Sequence, residues 1–239
     1  MKQKKAQVSV FIIIGILIVL AVVYFLAIRK SSVDIEPSAP QDFSAVQVYV
    51  ENCLSIVGNF AVYKIGVQGG YIEPRLNSYQ SAFLDVAYAF DSIKTFVELS
   101  KMESEIETFV NENLKKCTNG FSEFGAKGIS IEEGNVNSDV SFGAKNVIFS
   151  VNYPLRITSG GVDYEMEKFT SDVPVALKTV HSDVDSFVYD FDERYDLTYL
   201  NGLNSNVYIH PMGQNDMFVE ENLDSSIRGE NYLFLYAVR

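Results

Sequence analysis

The sequence predicts an α+β protein hung from an N-terminal transmembrane helix. A spacer follows, and then a domain whose helices pack on a mostly antiparallel β-sheet. Three observations lead there. An apolar run lies close to the start of the chain, flanked by basic residues on both sides. Apolar residues recur at three- and four-residue spacing up to about residue 128, and at two-residue spacing from residue 129 onward. The 14 Tyr and 17 Phe enrich the chain in residues that favour strands, and 47 % hydrophobic against 21 % charged residues is a composition that builds a core. The expected order is a basic cytoplasmic N-terminus (1–7), a transmembrane helix (8–28), a linker (29–41), a mainly helical part (42–128) and a β-rich part (129–239). The last contains one inserted amphipathic helix at about 174–195.

The apolar run opens at Val8 and closes at Ile28, with only Ser9, Gly15 and Tyr24 to interrupt it. Its 21 residues make a helix of about 31 Å, close to the thickness of a bilayer's hydrocarbon core. That is too long for the apolar core of a cleaved secretory signal, and no small-residue cleavage site follows. Lys2, Lys4 and Lys5 precede the run and Arg29 and Lys30 follow it. The positive-inside bias therefore favours the N-terminus inside and the domain outside the cell membrane. Pro37, Pro40 and several Ser residues make 31–41 an extended spacer.

Lys4-Lys5-Ala6-Gln7-Val8-Ser9, running into Phe11-Ile12-Ile13-Ile14-Gly15, resembles the class III signal peptide of archaeal pilins and archaellins. The resemblance covers about twenty residues. It implies cleavage between Ala6 and Gln7 on the cytoplasmic side, with the apolar helix kept on the mature chain and available for packing into a filament. Ala6 stands where that family usually has Gly, and Phe11 where it usually has Glu. A plain uncleaved anchor is the other reading of the same residues. The chain as a whole is similar to uncharacterised membrane-anchored proteins of small-genome archaea, through Tyr49-Val50-Glu51-Asn52-Cys53-Leu54, the stretch 66–72 and the terminal 232–238. That similarity implies no activity.

Beyond the spacer, Val46, Val50, Cys53, Leu54, Val57 and Ala61 fall on one helical face, and Gly69-Gly70 ends that helix. A second helix is expected over 100–117, with Met102, Ile106, Phe109, Val110 and Leu114 as its stripe and Ser100 as its N-cap. A short strand is expected over 83–90. Cys53 and Cys117 are the only cysteines. In a domain outside the membrane such a pair suggests a disulfide, and two buried free thiols are the alternative. A CxxC-type metal site is excluded by their separation.

In the β-rich part, Val147, Phe149, Val151 and Tyr153 alternate with polar or outward residues, and Ser159-Gly160-Gly161 turns the chain into Val162, Tyr164 and Met166. This is a hairpin. Further strands are expected around 207–209, 217–219 and 232–238, the last central because it is apolar on both faces. On the intervening helix, Leu177, Val180, Val184, Phe187, Val188, Phe191 and Tyr195 form an apolar stripe that Pro174 introduces.

Residues 31–239 hold 31 acids against 14 bases, so this domain repels nucleic acid and anionic lipid surfaces alike. Asp183, Asp185, Asp190, Asp192, Glu193 and Asp196 lie opposite the apolar stripe of their helix and read as a solvated face. The Gly and Glu of a calcium loop are not in place among them. His181 and His210, the only histidines, belong to no G-x-S-x-G or H-E-x-x-H pattern, and the glycines of 66–70 lack the Lys of a phosphate loop. No catalytic, cofactor-binding or metal-binding residue is assigned. The expectation is a non-enzymatic, membrane-anchored surface or envelope protein, an interaction or structural module that a protein partner or self-association would engage, with a pilin-like subunit as one form of it. An anchored extracytoplasmic hydrolase is the alternative.

Overall fold

The computed structural model describes residues 41–74, 77–82, 84–189 and 197–239. The expected span from Val8 to Ile28, the junction of Ala6 and Gln7, and the acids Asp190, Asp192, Glu193 and Asp196 lie outside these residues.

Helix α1 (Gln41–Val67) is the axis of the domain. Its expected stripe is buried in full: Val46, Val50, Cys53, Leu54, Val57 and Ala61 are joined in the core by Phe43, Val62 and Ile65. After Val67 the chain turns through Gly69 (φ 73°) and Gly70 (φ 92°), with the Gly70 amide donating back to the Ile65 carbonyl at 2.8 Å. Left-handed geometry of this kind at a helix C-terminus favours glycine. Strands β1 (Ser78–Gln80) and β2 (Asp85–Phe90) follow.

Helix α2 (Leu99–Thr118) buries Met102, Ile106, Val110 and Leu114. The expected cap is displaced. Glu98 occupies the N-cap with no side-chain cap bond, so Ser100 falls in the first turn. The flanking Phe96 and Val97 are both buried, and their packing sets the point where the helix begins. Cys53 and Cys117 are joined in a disulfide with their Cα atoms 5.7 Å apart, so α2 is tied to the middle of α1. Closing a loop of 64 residues' separation stabilises by about 4 kcal/mol through the unfolded chain.

A short helical corner, Asn119–Phe121 and α3 (Ser122–Gly125), leads into β3 (Ser130–Glu133), β4 (Asn137–Phe142), β5 (Val147–Ser159) and β6 (Val162–Val173). β3 and β4 pair in tandem along one edge of β5, covering 155–158 and 147–152 respectively, and β6 pairs along the other edge. Pro154 sits inside β5, where a proline breaks a ladder. The β5–β6 register shifts between Asn152 and Leu155, and the Pro154 carbonyl accepts the Gly134 amide at 2.7 Å in the gap between β3 and β4. A bulge on one side and a strand break on the other thus accommodate the missing donor.

Helix α4 (Leu177–Tyr189) and the short α5 (Leu197–Gly202) precede β7 (Ser205–Met212), β8 (Asn215–Ile227) and β9 (Glu230–Val238). The second sheet has the order β1-β2-β9-β8-β7. β9 is interior, as its two apolar faces predict, and it pairs antiparallel with β8 but parallel with β2. The chain's fold class is α+β, with helices packed on sheets that are antiparallel apart from this one pairing. α1 reaches both sheets through two glycines. A Cβ on Gly58 would meet the Phe149 ring of β5 at 3.0 Å, and one on Gly66 would meet the Tyr232 hydroxyl of β9 at 2.7 Å.

Candidate functional site

Among the described residues one helical stretch, Phe43–Val67, is long and apolar enough to cross a membrane by length and composition. Its place in the fold explains the apolarity. One face lies in the domain core, and part of the opposite face carries apolar side chains as well. Val48, Ile56, Phe60 and Tyr63 are each 50–54 % exposed. At 100° per residue they fall within an arc of about 120°, and from Val48 to Tyr63 they run about 22 Å along the axis. Isolated exposed apolar side chains are ordinary, whereas a cluster such as Ile56, Phe60 and Tyr63 is not; the exposed Asn52 separates it from Val48.

Beside that cluster lies a cleft of about 550 Å³. Asn59, Phe60 and Tyr63 of α1 form one wall, and Ile227, Arg228, Glu230, Asn231, Tyr232 and Leu233 of the β8–β9 hairpin form the other, with Glu221 at the rim. Tyr232 fixes the two walls together: its ring is buried and its hydroxyl donates to the Val62 carbonyl at 3.2 Å. Burial holds its pKa well above the ordinary phenol value. Glu221 is held by Asn206 (3.0 Å), Tyr208 (3.1 Å) and Asn231 (2.8 Å), whose donated hydrogen bonds keep its pKa below the usual range. Phe60 also leads sideways to α2, where Phe109 lies 5.8 Å from it centre to centre and Lys64 sits 5.9 Å from the Phe109 centroid. Phe109 opens onto a second cleft of about 420 Å³ that contains Glu73, Lys101, Glu105 and Glu112.

The candidates singled out in the sequence have other roles. His181 is buried, stacked on Phe96 at 4.7 Å, and its Nε2 donates to the Val97 carbonyl at 2.7 Å. It is a packing residue that ties α4 to the start of α2. His210 is exposed on β7. The glycines of 66–70 serve helix close approach and helix termination. The solvated-face reading of the acidic helix fails at Asp183, which is half-buried and whose pKa burial raises. Asp185 stays on the exposed face, its side chain 40 % exposed and paired with Lys94 at 2.5 Å. The Tyr199 hydroxyl donates to the Asp183 backbone carbonyl at 2.9 Å, which draws this turn of α4 against α5. Among the described residues no group of three His, Cys, Asp or Glu side chains is placed to hold a metal ion.

One polar residue escaped the sequence reading. Glu220 on β8 is 1 % exposed and accepts a hydrogen bond from Ser205 Oγ at 2.8 Å. Burial, with a smaller contribution from the nearby Asp183 carboxylate, pushes its pKa up to about 7. It lines neither of the clefts above. Its signal was the alternation on β8, where Phe218, Glu220 and Asn222 all face inward. The exposed cluster on α1 also left a trace in the sequence: more apolar residues on one helix than its core face can use.

No family model, no curated protein and no solved structure matches this chain.

Proposed function

We propose that this chain is a single-pass membrane protein whose acidic domain is an extracytoplasmic interaction module, with the α1 cluster and the adjoining cleft as its docking face. The observation that carries the reading is the cleft between α1 and the β8–β9 hairpin, walled by Phe60, Tyr63, Ile227 and Leu233 and extended along α1 by the exposed Ile56. Apolar surface of that extent beside a polar rim is the form of a binding surface. The anchor rests on the apolar run from Val8 to Ile28 and its flanking charges.

An extracytoplasmic hydrolase has less support. It would need titratable groups converging on an accessible pocket. Glu220, the carboxylate poised near neutral pH, is buried on the inward face of β8 and opens onto neither cleft. A pilin-like subunit is a special case of the module reading, in which residues 8–28 pack between copies after cleavage before Gln7.

Photo-crosslinking in the native membrane tests the module. Benzoylphenylalanine placed at Phe60 should form a discrete adduct on illumination. The same group at Val162, exposed on β6 away from the cleft, should form none. Equal adducts at both positions, or none at position 60, would remove the docking face.

A further inference from the structure

We infer that the α1 groove takes an amphipathic helical segment of a protein partner, apolar on one face and basic on the other. This rests on the module reading and names the chemistry of its partner. The length comes first. Ile56 to Tyr63 spans about 10 Å, roughly two turns of helix, so a partner helix lying along it could place side chains at i, i+3, i+4 and i+7 against Ile56, Phe60, Tyr63 and Leu233. The rings of Phe60 and Tyr63 stand half-exposed at the mouth of the cleft and supply the aromatic contact that dominates such interfaces.

Charge then selects among occupants. The two clefts that flank Phe60 carry Glu73, Glu105, Glu112, Glu221 and Glu230 against Lys101 and Arg228, with Lys64 between them. Lys101 and Glu105 pair with each other at 2.8 Å, which leaves Glu73, Glu112, Glu221 and Glu230 against Arg228 and Lys64. Residues 31–239 together carry 31 acids and 14 bases, so the wider field has the same sign. A second copy of the chain would bring an equally acidic groove against this one. An anionic lipid surface is repelled for the same reason. A helix with Lys or Arg opposite its apolar face satisfies both the cluster and the rim, and electrostatic complementarity speeds its capture.

The test uses the full chain in phosphatidylcholine nanodiscs, with empty nanodiscs as the subtraction. Two fluorescent synthetic helices of about 18 residues share one Leu/Phe face and differ on the other, which is Lys in one and Glu in its twin. The Lys-faced peptide should bind about tenfold more tightly, and about 0.5 M salt should erase most of that preference. Phe60→Ser combined with Tyr63→Ser should weaken it by at least about tenfold, whereas Val162→Ser should not. Near-ultraviolet circular dichroism checks that each variant remains folded. Equal or tighter binding of the Glu-faced peptide, still lost with Phe60→Ser and Tyr63→Ser, would overturn the basic partner and leave the docking face standing. Clustering of loaded nanodiscs that those substitutions abolish would assign the groove to a second copy and also overturn it. Binding indifferent to both substitutions would remove the docking face as well.

Discussion

Glu220 is the carboxyl group whose chemistry is most altered by this fold. An inward position on a strand surrounded by Phe218, Tyr236 and Tyr232 would ordinarily be apolar, and here it holds a carboxyl group 1 % exposed. Its pKa rises from 4.5 to about 7. The sign of the consequence follows from proton linkage. The folded state keeps the proton more tightly than the unfolded chain, so this residue's contribution is most favourable below pH 4.5 and declines as pH rises to about 7. The decline is worth roughly 3 kcal/mol. Asp183, raised by burial as well, acts in the same direction. Glu220→Gln retains an acceptor for Ser205 and removes the charge. Its advantage over the natural chain should be negligible near pH 4 and should grow to a Tm difference of roughly 6–12 °C at pH 8. Thermal unfolding of both proteins across that range measures it, and parallel pH profiles would show that Glu220 does not ionise within the core.

At the scale of elements, the apposition of α1 to β9 depends on Gly66. A Cβ there would stand 2.7 Å from the Tyr232 hydroxyl and close to the Leu233 backbone. Gly66→Ala would raise the intrinsic helix preference of α1 and still destabilise, because the helix must move off the strand. We expect a loss of about 2 kcal/mol in urea unfolding. A gain in stability would mean that the contact relaxes freely. Elements of this kind differed in how visible they were in the sequence. α1, α2, the β5–β6 hairpin and β9 announced themselves, because a buried face repeats with the period of its own backbone. β8 showed only its 217–219 segment, since Glu220, Asn222 and Ser225 occupy inward positions that normally hold apolar residues. The parallel β2–β9 pairing joins residues about 150 apart and leaves no local trace. The docking face was half legible. Phe60 and Tyr63 were visible as apolar residues outside the core stripe, but the hairpin wall that turns them into a cleft arrives from the far end of the chain.

For the whole molecule, the partners within reach depend on which side of the membrane the acidic domain occupies. The 31 acids of residues 31–239 do not decide this, because positive-inside orientation is set by Lys and Arg near the span. Lys2, Lys4 and Lys5 on one side outnumber Arg29 and Lys30 on the other by a single residue, with the free amino group adding to the former. The orientation is therefore one that small changes can shift. Val162→Cys, at the exposed start of β6, supplies a thiol in addition to the bonded Cys53 and Cys117. On the proposed topology a membrane-impermeant maleimide should label it in intact cells as fully as after lysis. Replacing Lys2, Lys4 and Lys5 with Gln leaves the remaining bases on the far side and should cut labelling in intact cells by about half or more, while total labelling after lysis stays unchanged. Labelling that appears only after lysis would put the domain in the cytoplasm, where the disulfide between α1 and α2 would meet reducing conditions and the partner helix would have to be sought among cytoplasmic proteins.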